Sequence, residues 1–421
     1  MNSISTASAP KSVTLRRFLP LFLASFWGLA FAVWMPSFSG PDEKGHIAYV
    51  SALASGHLPI FPATENADIE RGITWQAQHP PLFYVVAAPF YKVATLLAPQ
   101  SGLLVVRLLG VLCFVLTVLV AQKIAEYFVA EKAAWLAAML VATHPVVSYV
   151  MSMANNESLA ILLSSLCVLT ALWANPLTCE TAASKWKASQ RLAICAVCCG
   201  LALWTKLTTI AGVMAAVYLV GLSRENVGNW RSFHWRRAFS VLCGAIVLWL
   251  PWSLLMKQLH GTFFPSVTWT PGLPGGPLAI LLFPQEALSA AAFTYTEFAG
   301  GLLAPFWLLH GYVPQAMRYV CSALLLLWIL WTAKKYSDLR FALVGFFTLY
   351  LLVLNTVYFR FYVTALFAAR YTGTATVLFC VVAAQQLSNL PTTHRVLVLG
   401  VWSAMAFSNF AFIFWFFLVR R

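Results

Sequence analysis

Long apolar runs recur along the chain, separated by short polar gaps. They show neither the alternation of a half-buried strand nor the single stripe of a surface helix. The runs lie near 15–36, 104–122, 133–150, 158–175, 190–205, 207–222, 238–256, 318–333, 340–357, 371–388 and 396–418. Most have the length of about 17–25 residues that a helix needs to cross the hydrocarbon core. The pattern predicts an all-α polytopic membrane protein: a single integral domain, 1–421, built as a bundle of about eleven transmembrane helices. Two long loops interrupt it, 37–103 and 257–317, the second with a turn-rich "TPGLPGGP" centre.

One more apolar stretch, 80–98 ("PPLFYVVAAPFYKVATLLA"), holds Lys92, Pro80, Pro81 and Pro89. Charge placement decides how it is read. With eleven spans and the N-terminus inside, Lys11, Arg16, Arg17, Lys123, Lys132, Lys187, Arg191, Arg236, Arg237 and Arg395 all fall on the cytoplasmic side. Counting 80–98 as a span would export most of them. It is therefore expected as a helix or hairpin in the outer interface. The first segment, "KSVTLRRFLPLFLASFWGLAFAVW", has the basic start of a signal peptide. Its apolar run is long, and Trp27 and Trp34 suit an anchored span, so a retained first helix is expected.

Composition narrows the class. Hydrophobic residues make up 61% of the chain and charged residues 10%, well under the quarter usual in a soluble domain. The net charge of +14 follows from basic loops between spans and calls for no nucleic-acid partner. Nine cysteines sit almost wholly in apolar runs; Cys195, Cys198 and Cys199 have no second ligand pair and are expected to pack. No phosphate-loop or dinucleotide motif occurs.

Against only 13 acidic residues in the chain, the adjacent pair Asp42–Glu43 just beyond the first span stands out. Further polar groups gather at span mouths on the same predicted side: His46, "QAQHPPLFY" (76–84) with His79, "ANNES" (154–158) with Glu157, "WTKLT" (204–208) with Lys206, and "FAARY" (367–371) with Arg370 and Tyr371. Facing lipid, each would be costly. A carboxylate to accept a proton and cations to hold an anion suit one acid–base step on a phosphate-bearing substrate. Asp42 is the expected base. Glu43 is expected to orient the first-loop helix or contact the acceptor, with His46 one turn on to hydrogen-bond it. Ordinary roles compete: Asn155 or Asn156 capping a helix, Lys206 snorkelling, His79 at the interface. A divalent metal held by Glu43, His46 and His79 is a further alternative, although no Asp-x-Asp or His-Glu-x-x-His motif occurs.

At these residues the chain resembles the GT-C glycosyltransferases, in particular the superfamily of protein O-mannosyltransferases and bacterial aminoarabinose transferases. The resemblance rests on Asp42-Glu43 opening the first loop, "HPPLFY" (79–84), "VRLLG" (106–110) and Arg370-Tyr371. It departs at Gln78-His79, where the family often has Glu-Lys, and in the Glu43-x-x-His46 spacing. The resemblance implies an inverting transferase that moves a sugar from a polyprenyl-phosphate donor to an envelope glycan, lipid or protein acceptor, on the outer face of a bacterial cytoplasmic membrane. Asp42 and Glu43 would be catalytic; His46, His79, Glu157, Lys206, Arg370 and Tyr371 would bind substrate. The competing readings are a flippase for a lipid-linked sugar and a non-catalytic subunit of an envelope glycan assembly.

Overall fold

The computed structural model describes residues 11–40, 42–61, 67–175, 187–222, 233–261 and 373–419, with the single positions 263 and 323. Within these, the apolar runs form helices and no strand is present beyond two isolated bridges in the first loop. The helices are α1 (Lys11–Trp34), α2 (Glu43–Ala54), α3 (Leu82–Leu97), α4 (Gly102–Ala125), α5 (Glu131–Ala142), α6 (Pro145–Met151), α7 (Glu157–Ala174), α8 (Ala188–Leu203), α9 (Ile210–Gly221), α10 (Trp235–His260), α11 (Gly373–Ser388) and α12 (Thr392–Val419). Expected spans near 318–333 and 340–357, and most of the loop 257–317, lie outside the described residues.

Among the described helices, α4, α7 and α10 are long and apolar enough to cross a bilayer singly. The segment 133–150, expected as one span, is two helices, α5 and α6, bent by 63°. Pro145 lacks an N–H and forces His144 out of the helical region, to φ −80°, ψ 111°. A new helix then starts with Pro145 in its first turn and the His144 ring accepting the Val147 N–H. This bend drops the 151–157 turn onto α4. Gly110 makes that approach possible: a Cβ there would stand 2.4 Å from the Met151 carbonyl oxygen.

The main core joins α4, α5, α7, α8, α9, α10 and α11 through small and aliphatic side chains such as Ala121, Ala137, Val168, Cys199 and Ala215, all fully buried. A smaller core stacks Trp27 on Phe410 (centroids 3.8 Å apart, rings 2° from parallel) and ties α1 to α12. A third, with Tyr49, Phe83, Tyr84 and Val106, lies between the first-loop helices and α4. Large apolar side chains remain exposed on the outer flanks, Phe22 on α1, Val247 on α10 and Phe407 on α12 among them. That distribution is what lipid-facing surfaces require.

The stretch 80–98 forms the 16-residue helix α3. Its Phe83, Tyr84 and Ala87 turn inward, while Phe90, Val93, Leu96 and Leu97 are left exposed. Pro89 lies inside it. An apolar outer face on a short helix packed against α2 and α4 fits a helix lying in the interface.

Candidate active site at the first-loop end of the bundle

The site is organised by a buried arginine. Arg107, in the second turn of α4, is 3% exposed, and all five of its guanidinium N–H groups are used. Nε and Nη2 grip the two oxygens of Glu43 at 2.8 and 2.7 Å. Nη1 donates to the carbonyls of Ala32 (3.2 Å) and Met35 (2.8 Å), and Nη2 also to Pro36 (2.7 Å). Those three carbonyls belong to the C-terminal end of α1 and the residues just beyond it, where helical acceptors run out. Arg107 therefore binds α1, α2 and α4 at one point.

Glu43 is equally saturated. Besides Arg107, one oxygen accepts the Ala154 N–H at 2.8 Å and the other the Gly40 N–H at 3.0 Å. Gly40 is needed here because a Cβ would fall 2.7 Å from the Glu43 Cδ. With both oxygens holding two donors each, this carboxylate has no lone pair left for a substrate proton. The geometry separates the acidic pair: Glu43, expected to be catalytic, is held as a structural clamp.

Asp42 stands directly before this clamp, half-buried, with φ 56° and ψ 16°. That left-handed conformation is one that aspartate tolerates better than most side chains, at a cost of roughly 1–3 kcal/mol. The surrounding clamp holds it in place.

The second cluster comes from α7 and the end of α8. Asn155 Oδ1 accepts the Glu157 N–H (2.9 Å), while Asn155 Nδ2 donates to Val150. Thus Asn155 satisfies the first α7 amide, although Asn156 occupies the cap position and makes no capping bond. Asn156 is instead turned toward Lys206: its Oδ1 lies 3.4 Å from Nζ. Lys206 forms an ion pair with Glu157 at 2.5 Å, and both side chains are 6% exposed. Lys206 is therefore a buried, paired cation, not a lysine reaching to water.

A ring stack closes the third side. Tyr49 and Tyr84 stack at 3.7 Å, and the Tyr84 hydroxyl bonds His46 Nδ1 at 2.9 Å. His46 lies nearly parallel to His79, centroids 6.4 Å apart. The Tyr49 hydroxyl donates to the His79 carbonyl (3.3 Å). The partner shown for the His46 ring is thus Tyr84, where Glu43 was expected. Burial pushes the Tyr84 hydroxyl well above its ordinary pKa, and Tyr49, Asp42 and Glu157 add to the rise. The Leu82 N–H donates to the Trp204 carbonyl (3.0 Å), which pins the Pro-Pro segment beside Thr205 and Lys206.

Four of the five predicted polar mouths thus meet: 42–46, 79–84, 154–157 and 204–206. Arg370 and Tyr371 lie outside the described residues; α11 begins at Gly373, against Ile161 of α7. Arg107, the arginine of the VRLLG segment (106–110), is consumed by the clamp. A metal on Glu43, His46 and His79 does not fit, since Glu43 is saturated by Arg107 and two backbone amides. Among the described residues no group of three or more His, Cys, Asp or Glu side chains is placed to hold an ion.

Comparison with known proteins bears on the fold. No protein-family model matches the chain, and no curated protein matches it in sequence. In structure it is similar to ArnT from Cupriavidus metallidurans bound to undecaprenyl phosphate, with TM-score 0.57 and 15% identity over 94% of this chain and 64% of that one. The apo state of the same protein gives 0.56 at 16% identity, over 94% and 63%. AglB, the oligosaccharyltransferase of Archaeoglobus fulgidus, in complex with an inhibitory peptide and a dolichol-phosphate, gives 0.50 at 14%, over 93% and 55%. The chain has the fold of the GT-C membrane glycosyltransferases. It spans less than two thirds of the length of these neighbours.

Proposed function

We propose that the protein is an inverting glycosyltransferase that uses a polyprenyl-phosphate-linked sugar and works at the first-loop end of the bundle, on the outer face of a bacterial cytoplasmic membrane. The observation that carries this reading is the Ala154 N–H bond to Glu43, which brings the turn bearing Asp42 against the 154–157 turn of the buried Glu157–Lys206 pair. Two neighbours of the same fold are described with polyprenyl or dolichol phosphates.

In the proposed reaction, the Asp42 carboxylate takes the proton from an acceptor hydroxyl as its oxygen bonds the anomeric carbon. The bond from that carbon to the phosphate oxygen breaks, and the electron pair stays on the lipid phosphate. Charge grows there in a low-dielectric setting, so a nearby cation stabilises the transition state more than the donor. Lys206 serves this purpose, held by Glu157 and Asn156. Arg370 is the second candidate, with Tyr371, since arginine binds phosphate through a planar fork. Glu43 and Arg107 fix the loop that carries Asp42. His46, Tyr84 and His79 form the wall facing the acceptor.

The test is transfer by the purified protein from a radiolabelled polyprenyl-phosphate sugar to envelope extract. Wild-type protein transfers label, and Asp42→Asn, which keeps the shape but accepts no proton, loses about 10²–10⁴ of the rate. Movement of the intact lipid-linked sugar across liposomes, with no transfer, would establish the flippase reading in its place.

A further inference from the structure

Lys123 lies 16 residues beyond Arg107 on α4, and Trp173 lies 16 beyond Glu157 on α7. At 1.5 Å per residue both stand about 24 Å from the candidate active site, at the other end of the bundle. There the two helices leave a cavity of about 380 Å³. Its walls are Lys123, Glu126, Tyr127, Leu169, Thr170 and Trp173.

The lining combines apolar and aromatic side chains with a charged pair. Lys123 and Glu126 form an i,i+3 pair at 2.8 Å, with the lysine side chain 53% exposed. Arg191, in the first turn of α8, brings its guanidinium to 6.0 Å from the Trp173 ring and donates Nη1 to the Trp173 carbonyl at 3.2 Å. Its Nε is buried without a hydrogen-bond partner among the described residues, and no described carboxylate is paired with it. Lys187 lies one helical turn earlier and is exposed. Among the described side chains here, Lys123, Lys187 and Arg191 against Glu126 carry two net positive charges. Tyr127 and Trp173 supply the amphipathic rings that favour a membrane–water boundary.

We propose that this cavity is a seat for an anionic phospholipid of the leaflet at this end, cytoplasmic by the positive-inside pattern. The phosphate sits against Arg191 and Lys123, and the glycerol and upper acyl carbons lie among Tyr127, Leu169 and Trp173. Basic pockets between membrane helices on this side take such headgroups. A soluble anion would gain nothing from Leu169 and Trp173. A zwitterionic lipid would bring its own ammonium toward three cations. The charge and the apolar lining together select the anionic lipid, and the site is separate from the proposed sugar transfer.

Native mass spectrometry of the detergent-purified chain tests this, titrated in turn with phosphatidylglycerol, phosphatidylcholine and inorganic phosphate. Phosphatidylglycerol is expected to bind more tightly than phosphatidylcholine. Lys123→Gln and Arg191→Gln should each weaken it by about fivefold, from the roughly 1 kcal/mol per basic residue at a charged membrane surface, and leave phosphatidylcholine unchanged. Arg191→Lys, which keeps the charge, should retain most of the affinity. Location is read separately, from fluorescence quenching by phosphatidylglycerol brominated near the headgroup. Trp173→Phe should remove the part of the quenching that phosphatidylcholine of the same chains does not produce. Equal affinity for the two lipids overturns the proposal. So does unchanged phosphatidylglycerol binding in both glutamine variants, quenching indifferent to Trp173, or inorganic phosphate binding as tightly as the lipid.

Discussion

Removing the Arg107 guanidinium tests the organisation of the site most directly. In Arg107→Met, Glu43 stays buried, 1% exposed, and keeps only the Gly40 and Ala154 amides as donors. The Ala32, Met35 and Pro36 carbonyls lose their partner at the same time. Breaking one half of a buried pair costs about 3–5 kcal/mol, and each orphaned carbonyl adds up to about 1–3 where water cannot reach it. Against a typical total of about 5–15 kcal/mol this is a large share. The protein carries its own reporter, because Cys113, Cys167, Cys195, Cys199 and Cys380 are buried free thiols. A maleimide dye that fluoresces on thiol exposure should show Arg107→Met melting far below wild type. Glu43→Gln should resemble it, because it strands the arginine instead. Arg107→Lys should fall between, keeping the charge and losing the fork. Asp42→Asn should melt like wild type and lose turnover alone. If Arg107→Met melts with wild type, the clamp contributes nothing; if Asp42→Asn melts with the clamp variants, the division between positioning and chemistry fails.

Three further outcomes are expected. Lys206→Met leaves Glu157 buried without its cation and should weaken donor-lipid binding as well as rate, whereas Lys206→Arg should recover part of both; normal binding and turnover in Lys206→Met would place the phosphate elsewhere. Gly110→Ala sets a Cβ against the Met151 carbonyl, a misfit of about 1–3 kcal/mol, and thiol exposure should show the lower melting point. Burial raises the Tyr49 and Tyr84 hydroxyls above their ordinary range, so the unfolded chain ionises first as pH climbs past about 10. Stability from this cluster is therefore full below that pH and falls above it, more steeply in wild type than in a Tyr49→Phe, Tyr84→Phe double variant.

Much of the helix placement was legible in hydropathy, because a lipid-facing helix must be apolar over its whole length. The apolar runs near 104–122, 158–175, 190–205, 207–222 and 238–256 all fall on described helices. The bend within 133–150 was written in His144-Pro145, but the apolar run continues across it and hides the break. Asp42, Glu157 and Lys206 were visible as charges in a chain that has few. Their partners were not: Arg107 lies 64 residues from Glu43, and Lys206 lies 49 from Glu157. Which acid is saturated depends on those long-range contacts and on two backbone amides, at Gly40 and Ala154, that carry no sequence signal. Arg107 could have been found only by asking what a guanidinium inside an apolar helix must neutralise.

The bond from the Leu82 amide to the Trp204 carbonyl has a mechanical consequence. On α3, Phe90, Val93, Leu96 and Leu97 are exposed, and its other end is fastened two residues from Lys206. A helix lying in the interface follows the height of the bilayer surface, whereas α7 and α8 are fixed by the packed core. Thickening or thinning the hydrocarbon by a few ångströms displaces α3 against that core, at a fraction of a kcal/mol per ångström of mismatch. The strain reaches the lysine through Thr205. On the interfacial reading of α3, acyl-chain length becomes a setting for the geometry around Lys206, which reconstitution into bilayers of graded thickness would display as an optimum.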